Sequence, residues 1–253
     1  MAHLRCDFFS DTLALSTSMT VLLPQPTSGQ IGMAGAASEQ PPPVLYLLHG
    51  LSDDDTVWLR RTSIERYVAD LGLAVVMPQV HRSFYVDGAH TGAYWAFVAE
   101  ELPHIVQRFF RVSDAREDTF VAGLSMGGYG AMRLALHRPE RFAAAASLSG
   151  ALDVAELAEH DDLDVFRHIV ADTPIAGSDD DLFAQLDRVD PARIPPLHVT
   201  CGTQDALLGH SERFVARAQE RGLSVTSAFG PGDHEWAVWD RAIQDVLDWL
   251  PLR

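Results

Sequence analysis

The chain has 253 residues, 47% of them hydrophobic and 21% charged, which suits a globular protein with a sizeable core and excludes wholesale disorder. Its 19 basic and 35 acidic residues leave a net charge of −16, so polyphosphates and anionic membrane surfaces would be repelled, and neither nucleic acid nor a membrane is an expected partner. No stretch approaches the ~20 apolar residues that span a bilayer, and the opening MAHLRCDFFSDTLALS lacks the basic start, apolar run and small-residue cleavage site of a leader, so a cytoplasmic protein is expected.

The first 24 residues alternate apolar and polar positions in two short runs, the second closing on Ser18-Met19-Thr20-Val21-Leu22-Leu23. They predict antiparallel strands at a sheet edge. Residues 24–43 hold five prolines and three glycines, a composition that sustains neither strand nor helix, and 25–43 is expected to be an exposed, flexible insertion. Six apolar runs follow, at 44–50, 73–79, 119–125, 142–150, 196–202 and 224–230. Runs without alternation suit strands buried on both faces, the pattern of a parallel sheet covered by helices. Helical spacing links Val98, Leu102, Ile105 and Phe109, with Pro103 marking a kink or a fresh start, and a second apolar stripe joins Trp236, Trp239, Ile243, Val246 and Leu250. Both stripes read as core.

Residues 151–190 break this rhythm with the acidic clusters Asp161-Asp162-Leu163-Asp164 and Asp179-Asp180-Asp181. They lack the regular ligand alternation and the glycine of a calcium loop, so a small cap with a solvated acidic face is expected. Cys6 and Cys201, far apart in strand-like segments, are expected as reduced thiols. The whole reads as one domain over 1–253 of the α/β class: a mostly parallel central sheet, antiparallel N-terminal edge strands and helices on both faces.

The segment Thr119 to Gly130 reads TFVAGLSMGGYG, an apolar strand that runs into Gly-x-Ser-x-Gly and then directly into a helical stretch ending before Pro139. That is the context of the nucleophile elbow in an α/β-hydrolase fold, with Ser125 as nucleophile. Side chains beside the serine would collide in so tight a turn, hence Gly123 and Gly127, and the helix N-terminus stabilises developing negative charge.

A serine hydroxyl is a poor nucleophile at neutral pH and needs a base within reach, oriented by a third group. In this fold the acid and then the histidine follow the serine along the chain. His234 lies in the glycine-rich loop Gly230-Pro231-Gly232-Asp233-His234-Glu235, between the last apolar strand and the last helix, and is the expected base. His137, His168 and His198 fall inside helical or strand patterns and are expected to be structural. Asp205 in Gly202-Thr203-Gln204-Asp205, just past the fifth apolar run, is the preferred acid over Asp190, Asp233 and Asp153.

The oxyanion needs two N–H donors, expected from Met126, after the nucleophile, and from Leu51 in the loop His49-Gly50-Leu51. His49 is expected to support that loop. Trp58, Tyr85, Tyr94 and Trp95 fall in or near loops after the early strands and are candidates for the wall of a substrate pocket.

Leu47-Leu48-His49-Gly50-Leu51, Glu100 to Pro103, Arg108-Phe109-Phe110, Ala122 to Ala131, Ser149-Gly150-Ala151, Gly202 to Asp205 and Asp233 to Trp236 together resemble the esterase D and tributyrin-esterase group of α/β-hydrolases, related to the S-formylglutathione hydrolases. The resemblance spans about residues 44–250. It implies a serine carboxylesterase that hydrolyses short-chain acyl esters, acetyl to butyryl, through an acyl-enzyme on Ser125. Ser125, Asp205 and His234 match the group's triad, and Leu51 and Met126 its oxyanion hole. No metal or organic cofactor is required by such chemistry, and the partner is a small-molecule ester. The group forms oligomers, so the resemblance admits a homo-oligomer. The elbow Gly-Leu-Ser-Met-Gly-Gly-Tyr-Gly stands closer to the tributyrin-esterase branch than to the formylglutathione branch. A carbohydrate deacetylase, a feruloyl-type esterase or a thioesterase would use the same residues. An acyltransferase would need water excluded from the acyl-enzyme. A non-enzymatic binding protein ranks last, because such proteins usually lose a triad member.

Overall fold

A computed structural model describes residues 1–160, 164–170 and 174–252. Among these described residues ten strands form: β1 (Ala2–Ser10), β2 (Leu15–Leu23), β3 (Val44–Leu48), β4 (Ala74–Pro78), β5 (Asp87–Gly88), β6 (Gly92–Ala93), β7 (Thr119–Leu124), β8 (Ala144–Leu148), β9 (Leu197–Gly202) and β10 (Val225–Gly230). Eight make one sheet in the order β1-β2-β4-β3-β7-β8-β9-β10, and β5 and β6 pair by themselves. β1 and β2 are antiparallel to each other, and β2 is antiparallel to β4. From β4 across to β10 every pairing is parallel.

The six apolar runs are thus the six parallel strands; five are buried as expected, whereas β10, at the far edge of the sheet, is largely exposed, and the register explains the texture of the buried ones. Val44, Tyr46 and Leu48 of β3 enter one hydrophobic cluster, whereas Leu45 and Leu47 enter the other, on the opposite face. Successive side chains alternate faces, so a strand covered on both sides must be apolar at every position. Helix Met126–His137 belongs to the first layer, and helix Trp236–Trp249 closes the second. Among the C-terminal stripe, Trp239, Ile243, Val246 and Leu250 are buried.

The stripe before β7 is more complex than one helix. Tyr94–Ala96 is α-helical, Phe97–Glu101 widens into a π turn, and Leu102–Phe109 resumes the α-helix with Pro103 near its start. A proline there supplies no N–H, and the preceding turn relaxes to an i→i+5 pattern. Val98 and Leu102 are buried, but Phe109 is 53% exposed and is not core as its spacing suggested.

The insertion at 25–43 is tied to the body along its second half: Ala36 N–H donates to Ala69 O (2.9 Å), Arg111 to Glu39 O (2.7 Å) and Ser113 N–H to Pro42 O (2.9 Å). In the 151–190 region, helices Val154–Glu159, Val165–Val170 and Leu182–Arg188 are described. Asp161, Asp162 and Leu163 of the first acidic cluster lie outside the described residues. Asp181 of the second caps a helix, accepting from the N–H groups of Phe183 (2.9 Å) and Ala184 (3.1 Å). Both cysteines are free, and no described helix is long and apolar enough to cross a membrane.

Candidate active site

Ser125 sits between the end of β7 and the first residue of helix Met126–His137, with φ 53° and ψ −117°. A residue with a Cβ rarely adopts such a backbone, and it persists only where surrounding bonds over-determine it. Three do so here: Ser125 N–H donates to Leu148 O (2.9 Å), while Ser125 O accepts from Tyr129 N–H (3.2 Å) and Ala151 N–H (3.1 Å). The flanking glycines are steric requirements. A Cβ on Gly123 would stand 2.3 Å from Gly127 O, and one on Gly127 would stand 2.5 Å from Leu48 O.

His234 and Asp205 reach Ser125 because the loops after β9 and β10 are laced together. Thr203 N–H donates to Gly230 O (2.7 Å), Gln204 N–H to Gly232 O (3.0 Å), and Gly232 N–H to the Gln204 side-chain oxygen (2.7 Å). The result is one hydrogen-bonded row: Asp205 Oδ2 to His234 Nδ1 at 2.8 Å, and His234 Nε2 to Ser125 Oγ at 3.1 Å. Asp205 has a fully buried side chain, whereas that of His234 is 34% exposed. Burial opposes ionisation of Asp205, but hydrogen bonds from the His234 ring and the Leu207 N–H outweigh it and hold its carboxyl below the usual range. An ionised Asp205 can only accept, so Nδ1 carries the proton and the lone pair of Nε2 faces the serine hydroxyl.

The other carboxylates weighed as the acid are engaged elsewhere. Asp153 caps helix Val154–Glu159 and pairs with Arg213 at 3.0 Å. Asp190 accepts from Ala192 N–H (3.1 Å), and Asp233 from the His234 N–H (2.7 Å). Of the structural histidines, His137 meets Asp179 O and His198 meets Thr226 Oγ1.

The loop after β3 passes close over Ser125: a Cβ on Gly50 would lie 3.7 Å from Ser125 Cβ. Leu51 follows directly, and Met126 opens the helix, whose first N–H groups have no intrahelical acceptor. His49 holds this loop. Its Nδ1 is 2.7 Å from Gly50 O, and its Nε2 accepts from Val80 N–H at 3.1 Å, so the buried ring is neutral with the proton on Nδ1. Burial pushes its pKa down, in keeping with that state.

A cavity of about 450 Å³ opens beside Leu51, lined also by Asp53, His81, Arg82 and Tyr94. Of the four aromatic pocket candidates, Tyr94 alone lines it. Trp58 and Tyr85 are core residues instead, 1% and 0% exposed, because each turns its polar atom inward. Trp58 Nε1 donates to Leu48 O (3.1 Å) and Tyr85 Oη to His49 O (2.9 Å). Trp95 lies under the Arg133 guanidinium, 4.0 Å from its ring centroid. Two neighbours of the row escaped sequence reasoning. Trp239 packs edge-on against the His234 ring at 4.8 Å, hidden within an apolar stripe. Ser149, at φ 48° just past β8, lies beside Asp205, its only signal being the Ser-Gly pair at a strand end.

The sheet order and the strained serine at a strand-to-helix turn define a serine hydrolase of the α/β-hydrolase fold. Solved structures agree: FphF, a fluorophosphonate-binding serine hydrolase of Staphylococcus aureus, superposes with a TM-score of 0.90 at 33% identity, covering 98% of each chain. The S-formylglutathione hydrolase FrmB of Staphylococcus aureus gives 0.85 at 32% identity with the same coverage. An acetyl esterase of Caldicellulosiruptor saccharolyticus is 28% identical over 262 residues, covering 99% of this chain and 98% of its own. The chain belongs to the esterase family described as "Putative esterase", whose profile matches residues 11–250. It is a serine carboxylesterase.

Proposed function

We propose that the enzyme hydrolyses short-chain acyl esters, acetyl to butyryl, through an acyl-enzyme on Ser125. The observation that carries this reading is the row Ser125–His234–Asp205, with contacts of 3.1 and 2.8 Å on an over-determined elbow. His234 Nε2 takes the hydroxyl proton as Oγ attacks the ester carbonyl, and the Leu51 and Met126 N–H groups hold the oxyanion. The C–O bond to the alcohol breaks as His234 returns the proton to it. Water then attacks the acyl-enzyme with the same base, restoring Ser125 and releasing the carboxylic acid.

Two features support a small acyl group. The apolar space between the elbow helix and the described part of the region 151–190, lined by Phe84, Tyr129 and Phe166, is filled down to about 10 Å³, so a long chain does not fit into that space. The relatives named above include an acetyl esterase and a formyl-thioester hydrolase, whose acyl groups are both small. In this reading residues 151–190 act as a cap braced on the elbow helix, since Tyr129 Oη donates to Asp180 O (2.7 Å) and Arg133 pairs with the Asp180 carboxylate while donating to Tyr85 O (2.7 Å).

The first test is covalent labelling. A fluorophosphonate probe should modify Ser125, located by peptide mass spectrometry, and Ser125→Ala should abolish labelling and lower turnover by several orders of magnitude. Undiminished turnover in that variant would remove the assignment. The second is a chain-length profile with p-nitrophenyl esters from acetate to decanoate. Activity should peak between acetate and butyrate, and a maximum at decanoate refutes the short-chain reading.

A further inference from the structure

His234 stands two residues ahead of the helix Trp236–Trp249, with Glu235 as the capping residue between them. Glu235 O accepts from Val238 N–H (3.1 Å) and Trp239 N–H (3.3 Å), so the first turn closes directly onto the loop that carries the imidazole. His234 is thereby one position before the cap and Trp239 fourth in the helix, the two positions whose side chains meet where a helix is stapled to the chain that precedes it. They do meet: the ring centroids are 4.8 Å apart with the planes at 84°. Trp239 is itself braced by rings. Trp236 crosses it at 86° and 5.2 Å, and Trp58 crosses Trp236 at 87° and 5.4 Å. Trp58 in turn is anchored by its Nε1 bond to Leu48 O (3.1 Å), at the strand end from which the loop His49-Gly50-Leu51 departs.

We infer, on the Ser125–His234–Asp205 reading above, that Trp239 is a positioning residue for His234 and keeps the imidazole aimed while its own hydrogen bonds change during turnover. In the geometry described, the ring is fixed at Nδ1 by Asp205 and at Nε2 by Ser125. Once Oγ carries the acyl group the second bond is lost. One hydrogen bond leaves a side chain that is 34% exposed, on a loop containing Gly230 and Gly232, able to tilt about it. The indole supplies the contact that stops the tilt. Trp239 is buried in the apolar layer between the sheet and this helix, so it cannot swing aside. Its Nε1 is buried with no hydrogen-bond partner among the described residues. Burying an indole N–H unpaired is unfavourable, and leucine or phenylalanine would fill the layer without that cost, so core packing by itself does not account for a tryptophan here.

The test compares Trp239→Leu and Trp239→Phe with Trp249→Leu, a tryptophan of the same helix that packs on His198. The substrate is p-nitrophenyl acetate, active sites are counted by fluorophosphonate titration, and circular dichroism reports folding. Trp239→Leu should lower kcat per active site by about 10- to 100-fold, the scale of a misplaced catalytic group, without raising KM. Trp239→Phe keeps a ring at that place and should recover most of the loss, while Trp249→Leu should keep wild-type kcat. The low-field NMR resonance of the proton between His234 Nδ1 and Asp205 should broaden by exchange with water in Trp239→Leu and stay sharp in Trp249→Leu. Trp236 is only half-buried, and Trp236→Leu, which removes the ring behind Trp239, should lower kcat in the same sense by a smaller factor even if Trp239→Leu does not fold. A folded Trp239→Leu with wild-type kcat, an equal loss in Trp249→Leu, or an unaffected Trp236→Leu overturns the inference. Turnover that survives Ser125→Ala overturns the triad reading and this inference with it, a result distinct from an enzyme that labels at Ser125 and is indifferent to Trp239.

Discussion

In the proposed mechanism Asp205 never meets substrate; its carboxylate leaves Nε2 of His234 as the nitrogen that can act as base. Oδ2 accepts from His234 Nδ1–H and Oδ1 accepts from Leu207 N–H, both at 2.8 Å, so the group is held at both oxygens. Asp205→Asn keeps the shape but presents an amide whose N–H₂ can donate to Nδ1, and the imidazole then turns its proton toward Ser125. Turnover should fall by about 10³ to 10⁴, with KM little changed, because the loss lies in proton transfer. Steady-state kinetics on p-nitrophenyl acetate would check this, and a loss below tenfold would mean that Asp205 does not orient the base.

At the scale of elements, the elbow works because β7, the loop after β3 and helix Met126–His137 approach more closely than any Cβ between them would allow. Gly123 and Gly127 are therefore fixed by their neighbours' backbone, which cannot swing aside as a side chain could. Gly123→Ala should lower stability by about 3 kcal/mol or more, in the range of severe overpacking, and should remove fluorophosphonate labelling along with it. A thermal melt and a labelling gel distinguish this from a mild surface change; a variant with wild-type melting and labelling would contradict the packing described. The lacing of the β9 and β10 loops operates at the same scale: Asp205 and His234 are 29 residues apart, and the bonds between these loops hold them in one row.

For the whole molecule, three buried histidines and the half-buried His137 make stability depend on pH. His49, His137, His198 and His210 all have lowered pKa values, chiefly because burial disfavours the imidazolium. Once unfolded they protonate near the ordinary value of about 6.5, so below that pH the unfolded chain binds more protons than the native one. Stability is then full above about pH 6.5 and lost as pH falls through the lower native values. Asp205 acts with the same sign further down, its contribution being present above about pH 4 and lost as pH falls through its depressed value. The melting temperature should fall steadily from about pH 7 to about pH 5; a flat profile there would show that these rings are not held neutral.

The amino-acid sequence alone determined the six parallel strands, five of them buried because a strand covered on both faces must be apolar throughout, and it located Ser125, because Gly-x-Ser-x-Gly between an apolar strand and a helix fits a sharp strand-to-helix turn. It also carried the two antiparallel N-terminal strands, although of the two only β1 lies at the edge and alternates in burial, whereas β2, between β1 and β4, is buried at every position from Thr17 to Leu22. Strand order was beyond it: β4 lies between β2 and β3, an arrangement set by crossover connections and not by any local period. The paired two-residue strands β5 and β6 are too short to show a period at all. The direction of aromatic side chains was equally hidden. Trp58 and Tyr85 are chemically suited to wall a pocket, and only the backbone carbonyls of Leu48 and His49, brought near by tertiary packing, turn them into the core. The same packing decided the candidate site, since the sequence supplied a serine, an aspartate and a histidine in order, and the laced loops of β9 and β10 bring them within hydrogen-bond reach.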